Sequence, residues 1–319
     1  MAWRESAAEA ARARDERPVL VDSPGGRLFG ILTPATEPGA PCVVMFTRPR
    51  SHRNRMFVEL ARRLAARGLA AFRFDYHGCG DSSGASGFLN PGQPYRDDTL
   101  AVLRVLRERH GVRRFMLVGS CFDARTAFSA FDGEADAIEG IVFMAAPLME
   151  LDSLTDAHTE RKDWKHLWNA LGNAENWRTL GDPGRWRHMA RVVTRIAGRS
   201  LGRPAGDPPL SPSFERHLRA FAGAHARALL LYGADDAETA SLRVAERTTF
   251  ARLGPAVRAR MTIEVWPGAV HSFLDVARQR EVLERVTAWI AQLHPPGVPT
   301  TAAPTTTHNL PGEPVWTSR

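Results

Sequence analysis

Several things are scarce in this chain of 319 residues, and each scarcity excludes something. It has only three cysteines, Cys42, Cys79 and Cys121, with no Cys-x-x-Cys spacing. That argues against a disulfide framework and against a zinc site, so no metal or other cofactor is expected. No run of about 18 apolar residues occurs, so nothing in the sequence reads as a membrane span. The first 17 residues are rich in Ala, Glu and Arg and lack an apolar signal core, which points to the cytoplasm. Lysine is confined to Lys162 and Lys165, so arginine supplies nearly all of the positive charge behind the net +7. That skew fits a compositional bias. With no zinc-finger spacing and no RNA-binding aromatic motif, a nucleic-acid partner is not expected.

What is present is enough for a large packed domain, with 44% hydrophobic residues. Strand-like runs at 18–22, 28–32 and 42–46 are separated by Gly25-Gly26 and Pro38-Gly39. Further strands are expected at 69–75, 114–118, 138–145, 228–232 and 261–266. Helical spacing appears at 55–67, 97–110 and 124–131. Strands alternating with helices at these lengths predict an α/β fold, a mostly parallel sheet with helices on both faces. The stretch 148–216 breaks the rhythm with Trp164, Trp168, Trp177 and Trp186, several prolines and no obvious strand. It reads as a helical lid inserted into a core of 18–147 and 217–293. An extension covers 1–17, and a Pro/Thr-rich tail at 294–319 is expected to be disordered.

The most informative segment is Gly119-Ser120-Cys121-Phe122-Asp123, between the strand 114–118 and the helix 124–131. A strand, a tight turn and a helix present a nucleophile at the turn's tip, with free helix N–H groups beside it. The usual pattern is Gly-x-Ser-x-Gly. Here the nucleophile is the Cys121 thiol and the last glycine is Asp123. A helix N-terminus is expected to lower the thiol's pKa. Two later strand ends supply partners in the order nucleophile, acid, histidine. Gly233-Ala234-Asp235-Asp236 follows 228–232, and Gly268-Ala269-Val270-His271 follows Met261–Trp266. Asp236, third after the glycine, fits the acid's place better than Asp235. His271 is the base.

These motifs, with Arg73-Phe74-Asp75-Tyr76-His77-Gly78-Cys79-Gly80-Asp81-Ser82-Ser83-Gly84 and Leu230-Leu231-Tyr232-Gly233, resemble those of the α/β-hydrolase superfamily. The likeness is to its serine-aminopeptidase-like and esterase/thioesterase branch, over roughly 25–147 and 217–293. It implies that Asp81 belongs to a structural turn. It also implies an oxyanion hole made by the backbone N–H of Phe122 and one from the loop after Cys42–Phe46, Arg48 first and Thr47 second. The family often has His-Gly where this chain has Thr47-Arg48. In the family a glycine at the place of Asp123 lets the helix pack closely. Asp123 here tunes the site, pairs with Arg125 or marks lost activity. Ser120 is expected to point away from the site.

A thiol attacks esters and thioesters readily, and one thioester replacing another is near thermoneutral. The expected activity is therefore acyl transfer, as a thioesterase/esterase or acyltransferase with a Cys121–His271–Asp236 triad, in acyl or polyketide biosynthesis. Cysteine nucleophiles in the superfamily resemble those of dienelactone hydrolases and polyester synthases. Arg187, Arg191 and Arg195 recur every four residues in an acid-free stretch, suiting the phosphates of CoA or an acyl carrier protein. The alternative is a non-hydrolytic member that binds or folds a small molecule without a covalent step.

Overall fold

The computed structural model describes residues 15–37, 39–85, 95–149, 210–271 and 275–295. The lid expected at 148–216, with Arg187, Arg191 and Arg195, lies almost wholly outside them, as does the tail.

Eight strands form one sheet in the order β1-β2-β4-β3-β5-β6-β7-β8. They are β1 Arg17–Ser23, β2 Gly26–Thr33, β3 Cys42–Phe46, β4 Ala70–Phe74, β5 Phe115–Ser120, β6 Ile138–Met144, β7 Arg227–Gly233 and β8 Met261–Trp266. Strand β2 runs antiparallel to both neighbours, and from β4 onward every pairing is parallel. All eight match the expected runs to within a few residues. The helices are α1 Met56–Ala65, α2 Arg96–His110, α3 Phe122–Phe128, α4 Phe131–Glu134, α5 Pro212–Gly223, α6 Glu238–Arg247, α7 Pro255–Arg258 and α8 Val276–Leu293.

Residues of the central strands alternate between two cores, because successive side chains point to opposite faces. Val44 and Phe46 join Phe74, Phe115, Phe128 and Phe221 on one face. Val43 and Met45 join Phe57, Leu60, Val118, Val282 and Trp289 on the other. A sheet covered on both faces explains why β3, β4 and β5 are buried along their whole length.

The chain leaves and regains the sheet at an antiparallel bridge between Met149 and Leu210, next to Ser211 N–H donating to Leu148 O at 2.9 Å. The fully buried Arg125 of α3 reinforces that junction, donating to Met149 O at 3.0 Å, to Ser213 Oγ at 2.8 Å and to Ser211 Oγ. Arg125 thus ties Met149 to Ser211 and Ser213, whereas Asp123, for which a pairing with Arg125 was one alternative, is paired with Arg48.

Parallel strands put their C-terminal ends, and the loops that follow, along one edge of the sheet. Cys121, Asp236 and His271, far apart in sequence, meet there.

Candidate active site

The elbow is a strained turn. Cys121 has φ 52° and ψ −133°, outside the regions L-residues prefer, and its N–H donates to Met144 O at 2.8 Å. Such a conformation costs about 1–3 kcal/mol and persists only where its surroundings hold it. Those surroundings are close: a Cβ on Gly119 would lie 2.4 Å from Ala124 Cα. Only glycine lets α3 start directly against the end of β5.

The acid and histidine loops are locked together by Asp236. Its carboxylate is buried and accepts Gly233 N–H at 2.8 Å, Val270 N–H at 3.1 Å and His271 N–H at 3.0 Å. A Cβ on Gly233 would meet Gly268 O and Val270 N at 2.5 Å, which shows how closely the two loops approach. Asp235 is exposed and has only its backbone in this junction, donating to Gly268 O at 3.1 Å. The adjacent acids therefore have different tasks, and Asp236 is the one built into the site.

Asp236 grips the backbone of the histidine loop, while the imidazole itself faces another acid. His271 Nδ1 is 3.3 Å from Glu238 Oε1. Glu238, in the first turn of α6, is only 4% exposed, and its Oε2 has no hydrogen-bond partner among the described residues. Ligand-type atoms of Cys121, Glu238 and His271 all lie within 4.8 Å of one another. Sequence reasoning missed Glu238. The signal was there, two positions beyond Asp236, but it reads as an ordinary acidic residue at a helix start.

The thiol's electrostatics run against expectation. Burial pushes the Cys121 pKa up to about 12, and the charges of Glu238 and Asp123 push the same way. The Phe122 N–H and the Arg48 guanidinium act in the opposite direction without prevailing. The lowering expected from the helix N-terminus is overturned because the thiol is desolvated by burial and faces the charges of Glu238 and Asp123. At neutral pH Cys121 is a thiol, and it needs a base to become a nucleophile.

Phe122 N–H lies against the sulfur and is one oxyanion donor candidate. Pairing of Phe46 with Gly119 brings the loop after β3 alongside the elbow, so Thr47 and Arg48 are neighbours of the site. Thr47 is buried. The Arg48 side chain turns to Asp123, Nε to Oδ1 at 3.4 Å. Asp123 is buried, and desolvation raises its pKa to about 6 despite Arg48. Ser120 is buried with Oγ 3.0 Å from His52 Nε2. Burial lowers the His52 pKa to about 4, so that ring is neutral. Asp81 belongs to the turn after β4, paired with Arg50 at 2.7 Å.

Residues 39–179 match the serine aminopeptidase (S33) family model. No curated protein matches the chain. Among solved structures, a proline iminopeptidase from Mycobacterium smegmatis is similar at TM-score 0.55 and 15% identity, over 87% of this chain and 98% of that one. The esterase Pf2001 of Pyrococcus furiosus gives 0.56 and 15%, over 90% and 96%. A serine hydrolase homologue from Coxiella burnetii gives 0.51 and 16%, over 85% and 96%. At these identities the structural likeness speaks for the fold. With the strand order, the elbow and the family match over 39–179, it shows that the chain has the α/β-hydrolase fold.

Proposed function

We propose that the protein is an acyl-transfer enzyme working through an acyl-thioenzyme on Cys121, with thioesters as its best substrates. The observation that carries this reading is the elbow conformation of Cys121, held at φ 52° with His271 and Glu238 within reach.

In this reading His271 takes the thiol proton as sulfur attacks the carbonyl carbon, so no standing thiolate is required. The tetrahedral oxyanion is received by the Phe122 N–H and by a donor from the Thr47–Arg48 segment. Collapse breaks the bond to the leaving thiol, which departs with the proton from His271. Water, an alcohol, an amine or another thiol then gives its proton to His271 and attacks the acyl-thioenzyme, and Cys121 regains a proton. Glu238 stabilises the imidazolium formed on the way. Asp236, the acid expected from spacing, sets where His271 stands by holding its backbone. Amides fit less well, since a thiolate leaves the tetrahedral adduct more readily than an amine. The basic Arg187, Arg191 and Arg195 make a CoA- or carrier-bound acyl group the substrate of choice, in biosynthetic acyl metabolism.

A second reading, a non-hydrolytic member that binds its ligand without a covalent step, is favoured by the thiol's pKa of about 12. The test is turnover of a panel of acyl-CoA and acyl-N-acetylcysteamine thioesters by wild type, Cys121→Ala and His271→Ala. Turnover that disappears in both variants supports acyl transfer. Turnover that survives Cys121→Ala removes the thiol from the mechanism, and ligand binding with no turnover in wild type favours the second reading.

A further inference from the structure

We infer that Cys121, His271 and Glu238 form a three-ligand site for a borderline-soft divalent cation, zinc above all, and that its occupation shuts the enzyme off. Spacing along the sequence gives no hint of it. The ligands come from three separate segments, the elbow, the start of α6 and the loop after β8, and only the sheet's edge assembles them.

A thiolate, an imidazole nitrogen and a carboxylate oxygen are the donor types zinc takes, at about 2.3, 2.0–2.1 and 2.0–2.2 Å respectively. Around a tetrahedral ion, such bonds put neighbouring donors roughly 3.3–3.8 Å apart. The Glu238–His271 contact already measures 3.3 Å, and all three donors fall within 4.8 Å. Contraction about the sulfur, from within 4.8 Å to that spacing, would complete the set. A second observation points the same way: Glu238 is 4% exposed, yet its Oε2 has no hydrogen-bond partner among the described residues. A buried carboxylate oxygen without a donor costs free energy, and a bound cation would satisfy it. Three protein ligands leave one position of a tetrahedron free, and the partly open Cys121 and His271 give solvent access to it.

Binding balances simply. The Cys121 S–H bond breaks, its proton leaves to solvent, and sulfur, nitrogen and oxygen lone pairs fill three places on the ion. No electron changes hands. Binding itself is independent of the proposed function, whereas the shut-off rests on it, because the ion occupies the nucleophile and the base together.

The experiment titrates the purified full-length chain, freed of metal with a chelator, with Co²⁺ as a spectroscopic probe, then displaces it with Zn²⁺. The expected result is one cobalt per chain with a near-ultraviolet thiolate-to-cobalt band, bleached by zinc. Cys121→Ser removes the band. His271→Gln and Glu238→Gln weaken binding by about a hundredfold, and Cys79→Ser leaves it intact. Circular dichroism of each variant checks folding, and the conservative replacements keep the site's volume. No band in wild type, or a band surviving in Cys121→Ser, overturns the inference. Mass analysis of acyl adducts in chelator separates the two claims. An adduct without a cobalt band sinks the metal site alone. A band without any adduct sinks the acyl-transfer reading and leaves the site standing.

Discussion

Two buried carboxylates stand at the same edge of the sheet, and their surroundings differ. Asp75, just after β4, is fully buried and fully engaged. Its Oδ1 accepts Arg50 N–H at 2.7 Å, its Oδ2 accepts Asp81 N–H at 3.2 Å, and the Arg50 guanidinium closes an ion pair on it. Glu238, at the start of α6, is almost as buried, yet one oxygen has no hydrogen-bond partner among the described residues and the other faces a partly exposed histidine at 3.3 Å. A satisfied carboxylate holds a fold together. An unsatisfied one, beside a thiol and an imidazole, is poised for something that arrives. Asp236 is of the first kind, with three backbone N–H groups on it, although it sits inside the second kind's neighbourhood.

The comparison can be broken in several ways, beginning with the largest effect. Cys121→Ala should lower thioester turnover by about 10⁴-fold or more while the melting temperature holds, since the residue is strained and its loss removes no packing of consequence. Turnover within about tenfold of wild type would end the nucleophile's role. Next, Asp75→Ala should cost about 3–5 kcal/mol of stability, read by urea unfolding, because it strips the Arg50 guanidinium of its buried partner. Stability unchanged to within about 0.5 kcal/mol would show that satisfaction of a carboxylate is a poor guide here.

Glu238→Gln sharpens the contrast. It should lower kcat/KM by about a hundredfold by removing the charge that stabilises the imidazolium, with little change in unfolding. Asp236→Ala should instead destabilise by about 2–4 kcal/mol, leaving three backbone donors to find new partners. If the two variants exchange these phenotypes, Asp236 is the acid that serves the imidazole.

The smallest effect concerns Asp123, whose pKa is raised to about 6 in the folded state from an ordinary 3.8. The native state then holds this proton more tightly than the unfolded chain does. Its contribution to stability is present below about pH 4, falls as pH rises to about 6, and is flat above that. Asp123→Asn should remove that slope and raise stability at pH 7 by on the order of 2 kcal/mol, less whatever the Arg48 contact contributes. Urea midpoints from about pH 3.5 to 7 measure it. A wild-type profile without the slope would mean that Arg48 neutralises the buried charge.

How much of this could be read from the sequence follows from where each signal lives. Strands such as Cys42–Phe46, which follows Pro41, and the Ala228–Tyr232 stretch of β7, which ends at Gly233, are continuous apolar runs, so composition alone marks them. The elbow was legible because a short pattern, Gly119 to Asp123, is tied to one backbone geometry. Glu238 was not, because its role depends on which oxygen is left without a donor, and no local pattern records that. The pKa of Cys121 was misjudged for a related reason: a helix start and Asp123 beside it are visible in sequence, whereas the burial of the thiol and the approach of Glu238 are not. Asp123 and Arg125, two positions apart on α3, serve different partners, Arg48 and the Met149–Ser211 junction, because residues two apart on a helix are about 200° apart around its axis and so lie on nearly opposite sides.

The central claim is that Cys121 carries an acyl group, and the most direct measurement is peptide mapping of wild-type protein acid-quenched during turnover of an acyl thioester. The account predicts a mass increase equal to the acyl group on the peptide containing Cys121, removed by hydroxylamine and absent from His271→Ala. Acyl mass on Ser120 or on Cys79, with the Cys121 peptide unchanged while substrate is consumed, would contradict it.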